Sequence, residues 1–471
     1  MRWLLTTYLG LPTGFALYAI SSHLLLQADI SLPVFLFPLC MVAGLAAGTR
    51  MRCQDQASTP IGPAPWFPWV AFTLIMIAVS LMVYGSISSI SRDWDGFVAW
   101  SLKAQYLTPP ASLDQPHFTD SAIYGYGLAY PLLQPLCLGA MQSLFGNLPG
   151  QLLFPILYVA SVATLLLSLS RQGLGRSAAW LGALAFALTP MWLNRGAGSV
   201  DSGYADLFLA YALILAGSGL LLCDLRLLFL GALLLPLIKP EGSVYALALG
   251  FITALSAPTK QHYATAWGLT LALVLWIPLR SPEVGILNIA GPLAMFGILI
   301  AIHMLAQRVS RRAMLAIGGG LLAASIVAVY LTADSLRAST NPLLRDFVVH
   351  ILDLPERLQR TPELLGGYAQ AIVSLNEFGL FLILSLGLLV LPKKLLGPIP
   401  ARPLAAFFVA GLTLACLSML FSPNPDLEHV FRSRFNRLLL HWTGPGWLLI
   451  TVWVFQNNRR ATQSQPVAKS T

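Results

Sequence analysis

Apolar stretches of roughly 17 to 25 residues recur from one end of this chain to the other, and they restrict its possible folds more than any other feature. Each stretch can cross a hydrocarbon core of about 30 Å as a helix, which satisfies the backbone polar groups within the segment. The composition agrees, because 56% of the 471 residues are hydrophobic and only 10% are charged. The sequence therefore predicts an all-α polytopic membrane protein, with residues 1–471 forming a single membrane domain.

Hydropathy predicts about 12 to 14 transmembrane helices. The segment that ends near His23 is expected to be a retained first helix, because no small-x-small cleavage site follows it. The predicted spans lie near 4–25, 32–49, 66–90, 150–170, 177–194, 204–222, 226–238, 243–258, 264–279, 286–306, 313–331, 379–392, 404–421 and 438–455.

Basic residues form short clusters between the apolar stretches, for example around Arg50, Arg171, Arg226 and Arg308. In the predicted topology these loops all fall on one side, which the positive-inside rule assigns to the cytoplasm together with both termini and the tail 456–471. The net charge of +9 does not indicate nucleic-acid binding, because the basic residues do not follow one face.

Acidic residues have the opposite distribution. Of the 19 acids, only Asp55 and Asp224 lie on the predicted cytoplasmic side. The two longest loops, 91–149 and 332–378, also face outward, so any chemistry is expected at the outer face. Residues 130–146 are apolar but interrupted by prolines, and they are predicted to lie at the outer interface or to re-enter it. The alternative is an ordinary span that violates the charge rule.

The segment "SRDWDGFVAWSLKAQYL", residues 91–107, follows directly on an apolar stretch. It predicts an amphipathic helix along the outer surface, with Asp93 and Asp95 in its first turn as candidate catalytic acids. The alternative is that these acids only cap the helix and gain from its dipole.

Further along the same loop, Asp120, Tyr124 and Tyr130 combine ionisable and aromatic groups. Sugar-binding clefts use such groups for hydrogen bonding and stacking. The tyrosines fit equally well as aromatic residues of the membrane interface.

Four ionisable residues interrupt apolar segments near the predicted outer face. Asp201 and Asp206 precede or enter one span, and Lys239 and Glu241 break another in "LIKPEG". A charge inside an apolar segment costs several kcal/mol unless it is paired or lines a wet cavity, so these residues are candidate substrate-binding groups. The alternatives are internal pairs, either Asp206 with Arg195 or Lys239, or Lys239 with Glu241.

Basic residues also gather on the outer side before the last span, against the charge rule. Arg434 and Arg437 lie there, with His441 one turn further in. Arginine binds phosphate bidentately, so these residues are candidate ligands for the head group of an anionic lipid. The alternative is that they balance the outer acids. The chain contains neither a P-loop, nor a dinucleotide fingerprint, nor an HExxH zinc motif.

Residues 90–250, and more weakly the last Arg-rich outer loop, resemble the bacterial GT-C glycosyltransferases. The nearest pattern is that of the protein O-mannosyltransferases and lipid A aminoarabinose transferases, which form glycosyltransferase family 39. The similarity depends on the order of an acid after an early span, "DGFVAWSLKAQYL", "AYPLLQPLCLGAMQSLFG", the basic turn "RQGLGR", "VDSGYADLFLAY" and "LIKPEG".

The resemblance implies a GT-C-like helical bundle with interfacial helices in the first outer loop. It further implies glycosyl transfer from a polyprenyl-phosphate-linked sugar at the outer, periplasmic face of the cytoplasmic (inner) membrane. The acceptor would be a glycolipid, a polysaccharide or a protein.

Carried over residue by residue, Asp95 matches the first acid of the family, with Asp93 as the second choice. Asp201 or Asp206 matches the second acid, and Lys239 and Arg437 match the phosphate ligands. This chain departs from the family at Ala129 and Tyr130, where relatives of the aminoarabinose transferase carry an acid and a lysine.

Two other classes share some of these features. A secondary transporter would also have broken helices and buried ions, with Asp206, Lys239 and Glu241 as coupling groups. A polymerase or ligase of lipid-linked glycans would use outer arginines and a large late outer loop. No cofactor is indicated, and outer carboxylates can hold Mg²⁺ or Mn²⁺ without any sequence signature.

Overall fold

A computed structural model describes ten parts of the chain. These are residues 2–52, 66–88, 96–115, 118, 130–193, 199–280, 287–309, 359–390, 402–420 and 431–463. Within these residues the regular elements are helices, and the only extended pairing is an isolated bridge between Leu32 and Ala111. The predicted all-α architecture is confirmed for the described residues.

The helices are numbered here in chain order. They are α1 Arg2–Gln27, α2 Leu36–Arg52, α3 Phe67–Ser88, α4 Leu102–Tyr106, α5 Leu133–Phe145, α6 Asn147–Gly150, α7 Leu153–Arg171, α8 Arg176–Ala187, α9 Pro190–Leu193, α10 Asp206–Leu222, α11 Leu225–Ile238, α12 Pro240–Ser256, α13 Thr259–Arg280, α14 Leu287–Arg308, α15 Thr361–Val373, α16 Leu375–Phe378, α17 Phe381–Val390, α18 Arg402–Leu420, α19 Asn436–His441 and α20 Thr443–Gln463. Two π-helical turns, Gly96–Ser101 and Phe431–Phe435, lead into α4 and α19.

Among the described residues, five helical segments are long and apolar enough to cross a membrane. They are Thr6–Gln27, Phe67–Ser88, Asn147–Arg171, Ile289–Arg308 and Arg402–Met419. Shorter apolar helices cover Leu36–Arg50, Asp206–Leu222, Leu225–Ile238 and Thr443–Phe455. These segments support the prediction of a membrane protein. The span predicted at 313–331 lies outside the described residues.

Helix α10 lies at the centre of the bundle. Every residue from Asp206 to Leu221 is buried, including Phe208 and Tyr211. The helix packs against α7, α11 and α20. Its 17 residues span about 25 Å, with Asp206 at one end and Asp224 two residues beyond the other. These ends are called the Asp206 end and the Asp224 end below.

Helices α1 and α2 pack closely through glycines four residues apart on each helix, Gly10 and Gly14 on α1 and Gly44 and Gly48 on α2. A Cβ added at Gly44 would collide with the backbone nitrogen of Gly14, and one at Gly48 with the carbonyl oxygen of Thr6. Small residues at this spacing let membrane helices approach closely.

Helix α5 covers Leu133–Phe145 within the segment 130–146, and its 13 residues extend about 20 Å. The placement of this segment at the outer interface stays a prediction. Gln134 near its start donates to the carbonyl of Gly203 at 2.9 Å, which places this part of α5 at the Asp206 end. The helix is largely buried by protein.

The predicted amphipathic helix over residues 91–107 is helical in its described part, which has a buried face and exposed residues at Gln105 and Tyr106. The described part, from Gly96 onward, buries Trp100 and the whole Lys103 side chain. Helix α4 packs against α5, and Gly139 of α5 allows this contact because a Cβ there would meet the carbonyl of Ala104. Protein therefore covers the face of α4 that carries Lys103 and Ala104.

Candidate functional site: a buried ionic cluster

Asp206 is the first residue of the central helix and is completely buried. The chain reaches it through a short 3-10 turn, Val200–Ser202, and through Gly203 in a left-handed conformation. A carboxylate benefits from the N-terminal end of a helix, but a buried one also requires charged or hydrogen-bonding partners.

Three side chains provide those partners. Lys239 Nζ donates to Asp206 Oδ1 at 2.8 Å, and Arg437 Nε donates to Oδ2 at 2.8 Å. His441 Nε2 lies 2.7 Å from Oδ1 and donates to it, because an ionised carboxylate can only accept. Both oxygens of Asp206 are therefore occupied by protein donors.

The break between α11 and α12 positions Lys239. Lys239 is extended, with φ −154° and ψ 151°, as expected for a residue that precedes a proline. Gly242 permits the two helices to meet, because a Cβ there would collide with the carbonyl of Leu235. The predicted interruption at residues 237–247 is confirmed, and Lys239 lies at its corner.

A second group of contacts surrounds the cluster. The Arg437 guanidinium lies 3.9 Å from the centre of the Tyr204 ring, a favourable cation–π distance. The Tyr245 hydroxyl lies 3.4 Å from His441 Nδ1, and the Tyr245 ring packs edge-on against Trp442. Neither tyrosine is predicted as a site residue from the sequence. The available signal is their proximity in the chain to predicted site residues, since Tyr204 lies two residues before Asp206 and Tyr245 lies four residues after Glu241.

Glu241 lies at the edge of the cluster, in the first turn of α12. Its Oε1 is 3.7 Å from Lys239 Nζ, which is 0.9 Å longer than the contact of Lys239 with Asp206. The Glu241 side chain is 40% exposed, whereas that of Lys239 is 6% exposed. Both predicted pairs that involve Lys239 are present, and the pair with Asp206 is the closer one. Arg195, the other predicted partner of Asp206, lies outside the described residues.

The structure thus brings together five predicted site residues, which are Asp206, Lys239, Glu241, Arg437 and His441. The cluster is referred to as the Asp206 cluster. It joins the start of α10, the start of α12 and the helix α19.

Two predicted site residues lie elsewhere. Arg434 is exposed and takes no part in the buried cluster. It belongs to the π-helical turn before α19, whose spacing differs from that of an α-helix. Tyr130 packs edge-on against Trp100 at 5.3 Å, and its carbonyl oxygen is 3.4 Å from Lys103 Nζ. Tyr130 thus belongs to the contact between α4 and the start of α5.

The remaining predicted residues cannot be compared with the structure. Asp93, Asp95, Asp120 and Tyr124 lie outside the described residues, as does the side chain of Asp201. Among the residues that are described, no three His, Cys, Asp or Glu side chains come together as metal ligands.

Lys103 is a buried cation that the sequence did not identify as unusual. Its side chain is fully buried, and burial lowers its pKa from 10.5 to about 7. Its contact with the Tyr130 carbonyl is long for a hydrogen bond.

A second ionic cluster lies at the Asp224 end. Asp224 accepts from Arg171 at 3.1 Å and from Arg226 at 2.9 Å, and Arg171 lies over the ring of Tyr8. Burial alone would raise the pKa of Asp224, but the hydrogen bonds and charges of Arg226 and Arg171 outweigh it and hold the pKa below its usual value. Two loops predicted to be cytoplasmic therefore meet at one end of the bundle.

An apolar cavity of about 450 Å³ lies beside α19. Phe435 and Leu439 line it, whereas Arg437 and His441 contact Asp206, so successive turns present apolar groups to one side and ionic groups to the other. Helix α19 therefore contributes both to the wall of the cavity and to the Asp206 cluster. The other walls come from α15, α17 and α18.

Comparisons with protein-family models, with curated proteins and with solved structures gave no match for this chain. The functional argument therefore depends on the geometry of the Asp206 cluster and the cavity.

Proposed function

We propose that this protein is a membrane glycosyltransferase that uses a polyprenyl-phosphate-linked sugar as donor. The observation that carries the proposal is the position of α19 between the Asp206 cluster and the apolar cavity. A lipid-linked donor needs cations for its phosphate and an apolar groove for its tail.

In the proposed complex, Lys239 and Arg437 hold the donor phosphate. Asp206 does not contact the donor, since protein donors occupy both of its oxygens. Its role is to position the two cations, which would otherwise repel each other. Cations placed where negative charge develops on the leaving phosphate lower the barrier to its departure.

The proposed reaction is a direct displacement. Asp95, or Asp93 in its place, removes the proton from an acceptor hydroxyl directly or through one water. The hydroxyl oxygen bonds to the anomeric carbon as the bond from that carbon to the phosphate oxygen breaks, and polyprenyl phosphate leaves. The configuration of the anomeric carbon is inverted.

The proposed location is the outer face of the cytoplasmic membrane, with both termini in the cytoplasm. Nucleotide sugars are absent from that face, so a sugar must arrive there on a lipid. The acceptor is a glycolipid, a polysaccharide or a protein, and the outer carboxylates are suitable ligands for a divalent cation.

The test uses the purified protein in lipid nanodiscs, incubated with a panel of polyprenyl-phosphate sugars and acceptors. Release of free polyprenyl phosphate is measured. We expect Lys239→Met and Arg437→Met to abolish this release. Lys260→Met is the control, because it also removes one positive charge but at an exposed position, and we expect it to leave release unchanged. Folded wild-type protein that releases no carrier from any donor would refute the proposal.

A proton-coupled transporter is the second candidate, because a fully buried carboxylate in contact with a histidine and a lysine is typical of proton relays. Substrate uptake into proteoliposomes that depends on a pH gradient and on Asp206 would favour it. Release of carrier phosphate without such uptake would favour the transferase.

A further inference from the structure

The two carboxylates of the Asp206 cluster differ in what surrounds them. Asp206 is fully buried and has three donors within 2.8 Å. Glu241 contacts Lys239 only at 3.7 Å, and its Oε2 is buried without a hydrogen-bond partner among the described residues. Asp206 is therefore held firmly in place, and Glu241 is held weakly.

The charges of the cluster balance only when Glu241 is counted. With a neutral imidazole at His441, Lys239 and Arg437 carry two positive charges, and Asp206 and Glu241 carry two negative charges. A phosphate group that entered this neutral cluster would add negative charge close to Glu241. In a poorly solvated site such a repulsion is strong, so the phosphate and the Glu241 carboxylate cannot both stay near Lys239.

We propose that Glu241 is a resident counter-anion, which neutralises Lys239 in the ligand-free protein and is displaced by the phosphate of the lipid donor. This inference rests on the proposed function, because it requires a phosphate ligand at Lys239. Glu241 sets the affinity for that ligand by competing with it.

The position of Glu241 suits such an exchange. Its contact with Lys239 is long and its side chain is 40% exposed, so moving it into solvent breaks only a weak ion pair. It lies in the first turn of a 17-residue helix, where the backbone dipole favours a negative charge, whether from the Glu241 carboxylate or from a phosphate. Asp206 cannot move in this way, because its displacement would leave several buried donors without an acceptor.

The experiment measures binding of farnesyl phosphate and of uncharged farnesol to the protein in nanodiscs by isothermal titration calorimetry. We expect Glu241→Gln to bind farnesyl phosphate about tenfold more tightly than the wild type, with farnesol affinity unchanged. In the Lys239→Met background, Glu241→Gln is expected to have no effect.

Asp29→Asn is the control. Asp29 is an exposed acid just after α1 and does not belong to a helix that lines the cavity. A general effect of removing an exposed acid would appear in both variants. Thermal unfolding of each variant checks that the fold is retained.

The outcomes separate the two proposals. Wild-type binding that prefers farnesyl phosphate and needs Lys239, with unchanged or weaker binding by Glu241→Gln, would overturn the role of Glu241 and leave the proposed function standing. If neither the wild type nor Glu241→Gln prefers farnesyl phosphate to farnesol, both proposals fail.

Discussion

Replacing Asp206 with asparagine should destabilise the protein more than any other single removal of a charge among the described residues. The substitution keeps the shape of the side chain but removes the charge that Lys239 and Arg437 face. Their side chains are only 6% and 12% exposed, so solvent cannot replace the lost partner. Breaking one member of a buried ion pair typically costs about 3 to 5 kcal/mol, and we expect a value in this range.

The free energy of unfolding can be measured by SDS titration in mixed micelles, followed by tryptophan fluorescence. Asp224→Asn is the matched control, because Asp224 also joins two basic side chains. Its partners Arg171 and Arg226 are 17% and 30% exposed, so the control should lose only about 1 kcal/mol.

A double-mutant cycle tests the cause of the loss. If Asp206 acts by neutralising Lys239, the double variant Asp206→Asn with Lys239→Met should be at least about 1 kcal/mol more stable than the sum of the single losses predicts. Additive losses, or a loss for Asp206→Asn no greater than for Asp224→Asn, would refute the reasoning.

Three further predictions concern stability. Burial lowers the pKa of Lys103 from 10.5 to about 7, so between these pH values the unfolded chain binds more protons and the stability of the wild type rises with pH. Lys103→Met should therefore be more stable than the wild type at pH 7. Its melting temperature should change less with pH up to about pH 9. Cys223 ends α10 with a left-handed φ of 56°, so Cys223→Gly should raise the free energy of unfolding by about 0.5 to 1 kcal/mol in the same SDS titration. Gly48→Leu should force α1 and α2 apart and lower the melting temperature, whereas the same change at Gly291, which has nothing within 4 Å, should not.

The helices of this protein follow from its sequence because a membrane leaves an apolar segment few alternatives. The central helix was predicted at 204–222 and begins at Asp206 and ends at Leu222. The interruption of a helix at Lys239 is predicted because a proline disfavours the helical conformation of the residue before it. These are local effects that a single sequence contains.

The contacts within the site are a different matter. Each of Asp206, Lys239 and His441 was noticed as an ionisable group in apolar surroundings. The pairing of Asp206 with Lys239 is one of the alternatives that the sequence suggests. The contact of His441 with Asp206 is not predictable, because 235 positions separate them and no periodicity relates them. Lys103 shows the same limit in reverse, since helical spacing places it on one face of its helix but does not reveal that α5 covers that face.

Ionic contacts at both ends of α10 have a mechanical consequence. A slide of this helix along its axis by one turn, about 5.4 Å, would separate Asp206 from its three partners and disturb the neighbouring turn at Asp224. These contacts therefore hold α10 at one position along its axis. Under the proposed function, the movements that admit a lipid tail are expected at the periphery, where α15, α17 and α18 border the cavity.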